Sequence, residues 1–209
     1  LTPLEKLMKT EENAETKQIL RLIYRNADRL LKLVNQLLDF RKIDVQGDTL
    51  VLSTGDIVPF VRDVAYSFKE LSEQKHIRFS FSSVFTSLPM RFDTDKVFKI
   101  VSNLLSNAFK FTPEGGMITV TLSLLPDKEG RNKLLIEVSD SGIGIPADKQ
   151  EAIFDRFYQV SSSDKGNPVM GTGIGLHLCR EFVRMHQGSI AIKSQPGVGS
   201  TFTVTLPVI

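Results

Sequence analysis

The sequence predicts an α+β chain: a two-layer sandwich, with helices on one face of a mixed sheet, preceded by an α-helical hairpin. Three features predict it. A heptad spacing runs over residues 16–44 and stops at "DVQGDT". Downstream, helical and strand-like periods mix without the regular alternation of a doubly wound parallel sheet. Two pairs of strand-like runs are separated by the turn-rich stretches "PDKEGRN" and "QPGVG", which predicts two hairpins.

Taken in order, Ile19, Ile23, Asn26, Leu30, Leu33, Leu37 and Phe40 alternate spacings of four and three, a heptad seam. Leu20, Ala27, Leu31, Val34 and Leu38 widen it to a face suited to a helical bundle rather than a two-stranded coiled coil. "LTPLEKLM" reads as the end of a preceding helix and "KTEENAE" as the connection. Two helices cannot bury so broad a face alone. A second copy is expected to complete a four-helix bundle; packing of the helix on its own domain is the plainer alternative. Residues 56–75 read as one helix, with Ile57, Phe60, Val61, Val64, Phe68 and Leu71 on one side. "IRFSFS" and "LPMRFD" read as strands, residues 94–110 as a helix, "GMITVTLSLL" and "KLLIEVSD" as a hairpin, and residues 147–154 as a short helix. "YQVSSSDKGNPVMG" has no period and is rich in Ser, Gly, Asp and Asn, which marks a loop. Residues 172–187 read as a helix, and "GSIAIKS" with "GSTFTVTLPV" as the second hairpin. Two domains are expected, 1–48 and 49–209.

Bulk properties exclude several classes. The 209 residues allow one sizeable core plus an appendage. A net charge of +2, with both signs mixed along the chain, argues against a dedicated nucleic-acid binder. The single cysteine, Cys179, cannot form an intrachain disulfide and fits a reducing compartment. Apolar runs are only a few residues long, so no membrane contact by this piece is expected. The chain begins at Leu1 without Met, which fits a piece of a longer protein.

Three stretches carry chemistry. On the 94–110 helix, Val97, Val101, Leu104, Leu105 and Ala108 form the apolar stripe. Asn103, Asn107 and Lys110, at i, i+4 and i+7, lie nearly opposite it. Amide oxygens ligate Mg²⁺ and Lys neutralises phosphate, although an ordinary solvated face would also fit. In "DSGIGIP", Asp140 ends a strand and Gly142 and Gly144 follow, flanking Ile143 with Ile145 beyond. This is either a surface turn or a pocket floor. In the second reading the glycines let a flat ring approach, the isoleucines wall it, and the carboxylate accepts from an exocyclic amine. In "MGTGIGLHLCREFV", Gly171, Gly173 and Gly175 precede an amphipathic helix, whose bare first amides suit an anion; a ligand-free hinge is the alternative. The spacing is neither a dinucleotide fingerprint nor a P-loop.

The succession of these elements resembles the catalytic ATP-binding domain of sensor histidine kinases, in the gyrase/chaperone/kinase ATPase superfamily. "NLLSNAFKFT" is similar to its Asn box, "DSGIGIP" to its first glycine box, "IFDRFYQ" to its Phe box, "GTGIGLHLCR" to its second glycine box, and "GVGSTFTVTLP" to its last strand pair. "LVNQLLDFRKID" resembles the second helix of the dimerisation and phosphoacceptor hairpin, in wording nearest to hybrid kinases. The resemblance covers essentially the whole chain. It implies a Bergerat-type fold and a phosphotransferase that uses ATP and Mg²⁺. It also implies roles: Asn107 on the metal, Asn103 beside the phosphates, Lys110 on phosphate oxygens, and Asp140 on the adenine amino group, with clearance from Gly142 and Gly144. Gly171, Gly173 and Gly175 would shape the base of a lid, Phe154 and Phe157 its near end, and Ile145, Thr172 and Leu176 would complete the nucleotide contacts. Many members have an Arg after the Phe-Tyr pair. Here Gln159 stands there, and Arg156 or Lys165 are the substitutes at hand.

The family's phosphoacceptor is a histidine in "HE[LF]RTPL". "LTPL" matches only the tail, with Leu1 in place of Arg, and no histidine precedes His76. The nucleophile is therefore expected upstream, and His76, His177 and His186 read as surface or packing residues. The resemblance implies as partners the chain's own upstream phosphoacceptor helix, a second copy of the parent, and a response-regulator receiver domain. It implies a cytoplasmic location, on an inner-membrane-anchored bacterial sensor. Gyrase-like clamps activate water with a carboxylate on the Asn-box helix. Lys99, Ser102 and Ser106 offer none.

Overall fold

The computed structural model describes residues 2–11, 13–46, 49–126, 132–159 and 172–208. The chain divides into two compact units, Leu1–Gly47 and Asp48–Ile209.

The first unit is a helical hairpin of α1 (Thr2–Thr10) and α2 (Ala14–Gln46). The connection is shorter than "KTEENAE" suggests because Asn13 caps α2 at once. Its side-chain oxygen accepts from the Glu15 and Thr16 amides at 2.9 and 3.0 Å. Along α2, Ile19, Ile23, Leu30, Leu31, Val34, Leu37 and Leu38 are all exposed, as is Leu22. An apolar face of this length calls for a covering that the described residues of this hairpin do not supply.

The second unit opens with a strand the sequence pattern does not announce, β1 (Ser53–Asp56). It pairs antiparallel with β3 (Pro89–Phe92), Ser53 opposite Phe92. Asp56 then caps α3 (Ile57–Tyr66), accepting from the Val58 amide at 3.0 Å. The single helix expected over 56–75 is two, α3 and α4 (Lys69–Gln74). Ser67 closes α3 by bonding its hydroxyl to the Val64 carbonyl at 2.7 Å. The turn that follows stacks Phe68 on Phe109, ring centroids 5.6 Å apart and planes 7° from parallel.

The main sheet has the order β2-β4-β5-β7-β6. Its strands are β2 (Arg78–Ser83), β4 (Met117–Pro126), β5 (Asn132–Asp140), β6 (Ser189–Gln195) and β7 (Gly199–Pro207). β2 runs parallel to β4 and the other pairs are antiparallel, so the sheet is mixed. Alternate residues are buried: Ile118, Val120 and Leu122 on β4, Leu134, Ile136 and Val138 on β5, Phe202, Val204 and Leu206 on β7. The residues between them form a half-exposed Ser/Thr-rich face. Ser139 and Thr201 bond there at 2.9 Å, and Thr203 donates to Glu137 at 3.2 Å. One covered face and one open face make the two-layer α+β sandwich that the pattern predicts.

The helices α3, α5 (Thr94–Phe111) and α6 (Gly175–Met185) pack on the apolar face. On α5, Val97, Val101, Leu104, Leu105 and Ala108 are buried, each large side chain contributing about 1.5–3 kcal/mol by transfer from water. Asp93 caps this helix through the Lys96 amide at 3.0 Å. It also accepts from the Lys96 ammonium at 3.1 Å and the Val51 amide at 2.9 Å. The helix expected over 147–154 is instead two 3₁₀ turns, Ala147–Lys149 and Ala152–Phe154. The side chain of Gln150, between them, leaves to bond the Ile145 and Ser194 carbonyls. The helix expected from residue 172 begins at Gly175, because Gly173 sits at φ +70° and Thr172 takes the Ile174 amide on its own hydroxyl at 3.1 Å. Among the described residues, no helix is long and apolar enough to cross a membrane.

Candidate nucleotide site

The site is built around α5. The periodicity that buries its stripe turns Asn103 and Asn107, both half-buried, and the exposed Lys110 away from the sheet. The Lys110 ammonium sits 4.9 Å from the Phe111 ring centroid. The start of α6 abuts the middle of this strip. A Cβ on Gly175 would lie 2.5 Å from the Asn103 amide oxygen, so a larger residue here would turn the Asn103 carboxamide aside. α6 has no side-chain cap, which leaves its first amides beside the Asn103 carboxamide.

The loop after β5 leans on the other end of α5. The Ile143 amide donates to the Phe111 carbonyl at 3.3 Å, and the Ser141 amide to the Met117 carbonyl at 3.0 Å. Asp140 closes the strand and accepts from the Gly142 amide at 2.8 Å. Burial raises its carboxyl above the ordinary value, partly offset by the Gly142 and Ser200 amides. This is a carboxylate held at some cost, with few protein donors around it. The glycines of this loop also serve its packing on the protein. Side chains on Gly142 or Gly144 would strike the Phe111 carbonyl and the Gln195 backbone, respectively, and Gly144 has φ +68°. They are needed so that the loop can press against its own protein. Ile145 is half-buried, and its amide donates to the Ser194 hydroxyl at 2.7 Å.

The Phe box and second glycine box meet through backbone. The Phe157 amide donates to the Gly173 carbonyl at 3.0 Å, and a Cβ on Gly173 would lie 2.6 Å from the Phe157 carbonyl carbon. Phe157 has φ +61°, and 62% of its surface is exposed. Phe154, expected to act beside it, is a core residue packed edge-on against Phe202 at 6.4 Å. Thr172 and Leu176 are half-buried at the start of α6. Gly171 and Lys165 lie outside the described residues.

Of the remaining reactive side chains, His186, His177 and Cys179 are committed to packing. His186 donates from Nδ1 to the Phe182 carbonyl at 2.8 Å and accepts the Asp93 amide on Nε2 at 3.1 Å, which fixes a neutral tautomer. His177 is buried against the Phe154 carbonyl at 3.3 Å, and desolvation lowers its pKa against the pull of that carbonyl. Burial pushes the Cys179 thiol up to about 12, which makes it unreactive. His76 is exposed, and its backbone lies at φ 50°. Sequence reasoning missed Ser194 and Gln150. Ser194 reaches the Ile145 amide across 49 residues, and Gln150 links the Ile145 carbonyl to the distant Ser194 carbonyl, which no local pattern signals.

Known proteins are similar to this chain. The family of histidine kinase-, DNA gyrase B- and HSP90-like ATPases matches residues 92–209. The sensor histidine kinase TmoS of Ectopseudomonas mendocina is 39% identical over all of this chain, which spans 21% of its length. Hybrid signal transduction histidine kinase D of Dictyostelium discoideum is 37% identical over 99% of this chain, which spans 13% of that protein. Among solved structures, full-length ShkA in complex with AMPPNP is similar at a TM-score of 0.78 and 25% identity, over 99% of this chain and 43% of that one. With the polar strip of α5, the half-buried Asp140 and the close approach of α6 at Gly175 in the family's order, the chain belongs to the histidine kinase-, DNA gyrase B- and HSP90-like ATPases, as a catalytic domain of the histidine kinase type.

Proposed function

We propose that this chain is the ATP-binding catalytic part of a sensor histidine kinase, which transfers the γ-phosphoryl group to a histidine upstream of residue 1. The observation that carries this reading is the seating of two unlike polar sites on one helix. The half-buried Asp140 opens the loop that bonds the C-terminal end of α5, and Asn103 meets the start of α6 at the middle of α5. Asp140 reads the adenine amino group, since an ionised carboxylate only accepts. Ile145 flanks the ring. Asn103, Lys110 and the backbone around Thr172, Gly173, Gly175 and Leu176 face the phosphates, with Gly171 and Phe157 on the lid side.

The donor set fits Mg²⁺. One amide oxygen from Asn107, with phosphate and water oxygens, suits an ion that dehydrates reluctantly. When bound, the ion neutralises phosphate charge. The chain's own task is to orient the triphosphate and exclude water. The covering expected for α2 is a second copy of the parent, which would complete a four-helix bundle. The phosphoryl group then passes to an aspartate of a receiver domain. The parent is a bacterial sensor anchored in the inner membrane, with this part in the cytoplasm.

The test extends the chain upstream through the phosphoacceptor helix and follows ATP-dependent, acid-labile labelling. Labelling that is lost in Asn107→Ala supports the reading. Labelling that survives Asn107→Ala rejects the assigned site.

A further inference from the structure

Ser194 stands on β6, 49 residues from the loop it touches. Its hydroxyl accepts from the Ile145 amide at 2.7 Å, and lies 2.9 Å from both the Gly199 carbonyl and the Ser200 hydroxyl. A serine hydroxyl has one proton and two lone pairs. All three bonds form together only one way: Ser194 donates to Gly199 and accepts from Ile145 and Ser200. Its capacity is then full, so a ligand in the pocket finds no bond to Ser194. The three partners surround Asp140. Ser200 is its register partner on β7, and its amide is one of the two that stabilise the Asp140 carboxylate. Ile145 closes the loop that Asp140 begins. Gln150 adds a second clasp, bonding the Ile145 carbonyl at 3.0 Å and the Ser194 carbonyl at 2.8 Å.

We infer that Ser194 is a positioning residue for base recognition: it ties the Asp140 loop to the β6–β7 hairpin, and so sets how strictly the site tells adenine from guanine. This rests on the assignment of Asp140 to the base. A carboxylate discriminates an amino group from a carbonyl only when its own orientation is fixed. A loosened loop would let the carboxylate swing or take water, which weakens ATP and tolerates GTP. Gly144 allows the hairpin backbone close enough for the tie to form.

The test is calorimetric titration of the 209-residue chain with Mg-ATP and with Mg-GTP. Wild type, Ser194→Ala, Ser194→Thr, Gln150→Ala and Asp140→Asn are compared. Ser194→Ala is expected to cut the ATP-over-GTP preference by about 5-fold, the loss of one ordinary hydrogen bond. Ser194→Thr, which keeps the hydroxyl, should restore most of it. Amide exchange at Ile145 should quicken in Ser194→Ala. A preference unchanged in Ser194→Ala but lost in Asp140→Asn overturns the role of Ser194 alone. A preference unchanged in Asp140→Asn overturns the base assignment and this inference with it. If Ser194→Ala does not fold, Gln150→Ala decides: a smaller loss in the same direction supports the inference, and none overturns it.

Discussion

Two helices in this chain carry the same apolar rhythm and meet opposite fates. On α5, Leu104 is 0% exposed; on α2, Leu30 is 62% exposed. α5 finds its cover within the chain, in the sheet and α6, so its other face is free to hold amides and an ammonium. Among the described residues of its own unit, α2 has no such cover. The difference teaches that periodicity announces a buried stripe but not what buries it. It also separates two kinds of polar residue: those that the fold can afford because the core is complete, and those that complete it.

The largest expected effect comes from breaking the covered helix. Leu104→Ala should cost about 3 kcal/mol of unfolding free energy, read by urea denaturation. Next comes the opposite face of the same helix. Asn107→Ala should weaken Mg-ATP binding by roughly 30-fold and remove its dependence on Mg²⁺, with little change in melting temperature. An equal loss of stability would show that Asn107 supports packing instead.

Acid sharpens the comparison further. Burial opposes ionisation of Asp93, but bonds from the Val51 amide and from the amide and ammonium of Lys96 outweigh it and hold the carboxyl below its ordinary value. Asp56 is lowered too, chiefly by the Ser87 hydroxyl. A depressed carboxyl stabilises the fold above its unfolded pKa, near 3.9, and that support is lost as pH falls through the folded value. Melting temperature measured from pH 7 downward should therefore hold and then drop steeply in the acid range. The smallest effect on stability belongs to the uncovered helix. Leu30→Ala should change unfolding free energy by about 0.5 kcal/mol or less in the unassociated chain. It should still weaken self-association in sedimentation of an upstream-extended chain. A large loss of stability in the unassociated chain would mean that α2 is covered from within.

Much of this was legible in the sequence because the signals are local. The 3.6-residue stripe marks α5, and the turn-rich gaps mark both hairpins. What was illegible depends on distant partners. β1 is only "STGD", with Thr54 its one strand-forming side chain, and pairs with Pro89–Phe92 beside it. The break after α3 depends on the stacking of Phe68 on a ring 41 positions later (109 − 68). The glycines of "DSGIGIP" announce a tight loop. That the backbone of Phe111 and Gln195 packs against them is encoded by no neighbouring residue. The Ser194 tie is hidden for the same reason.

The nucleotide site is tested most directly by Asp140→Asn, with melting temperature and ATP affinity measured on the same sample. The raised carboxyl means that the ionised Asp140 lowers folded-state stability at neutral pH, a cost relieved only where it protonates. The amide keeps the bond from Gly142 and removes the charge. The account predicts a higher melting temperature together with weaker ATP binding. A lower melting temperature with unchanged ATP affinity would contradict it.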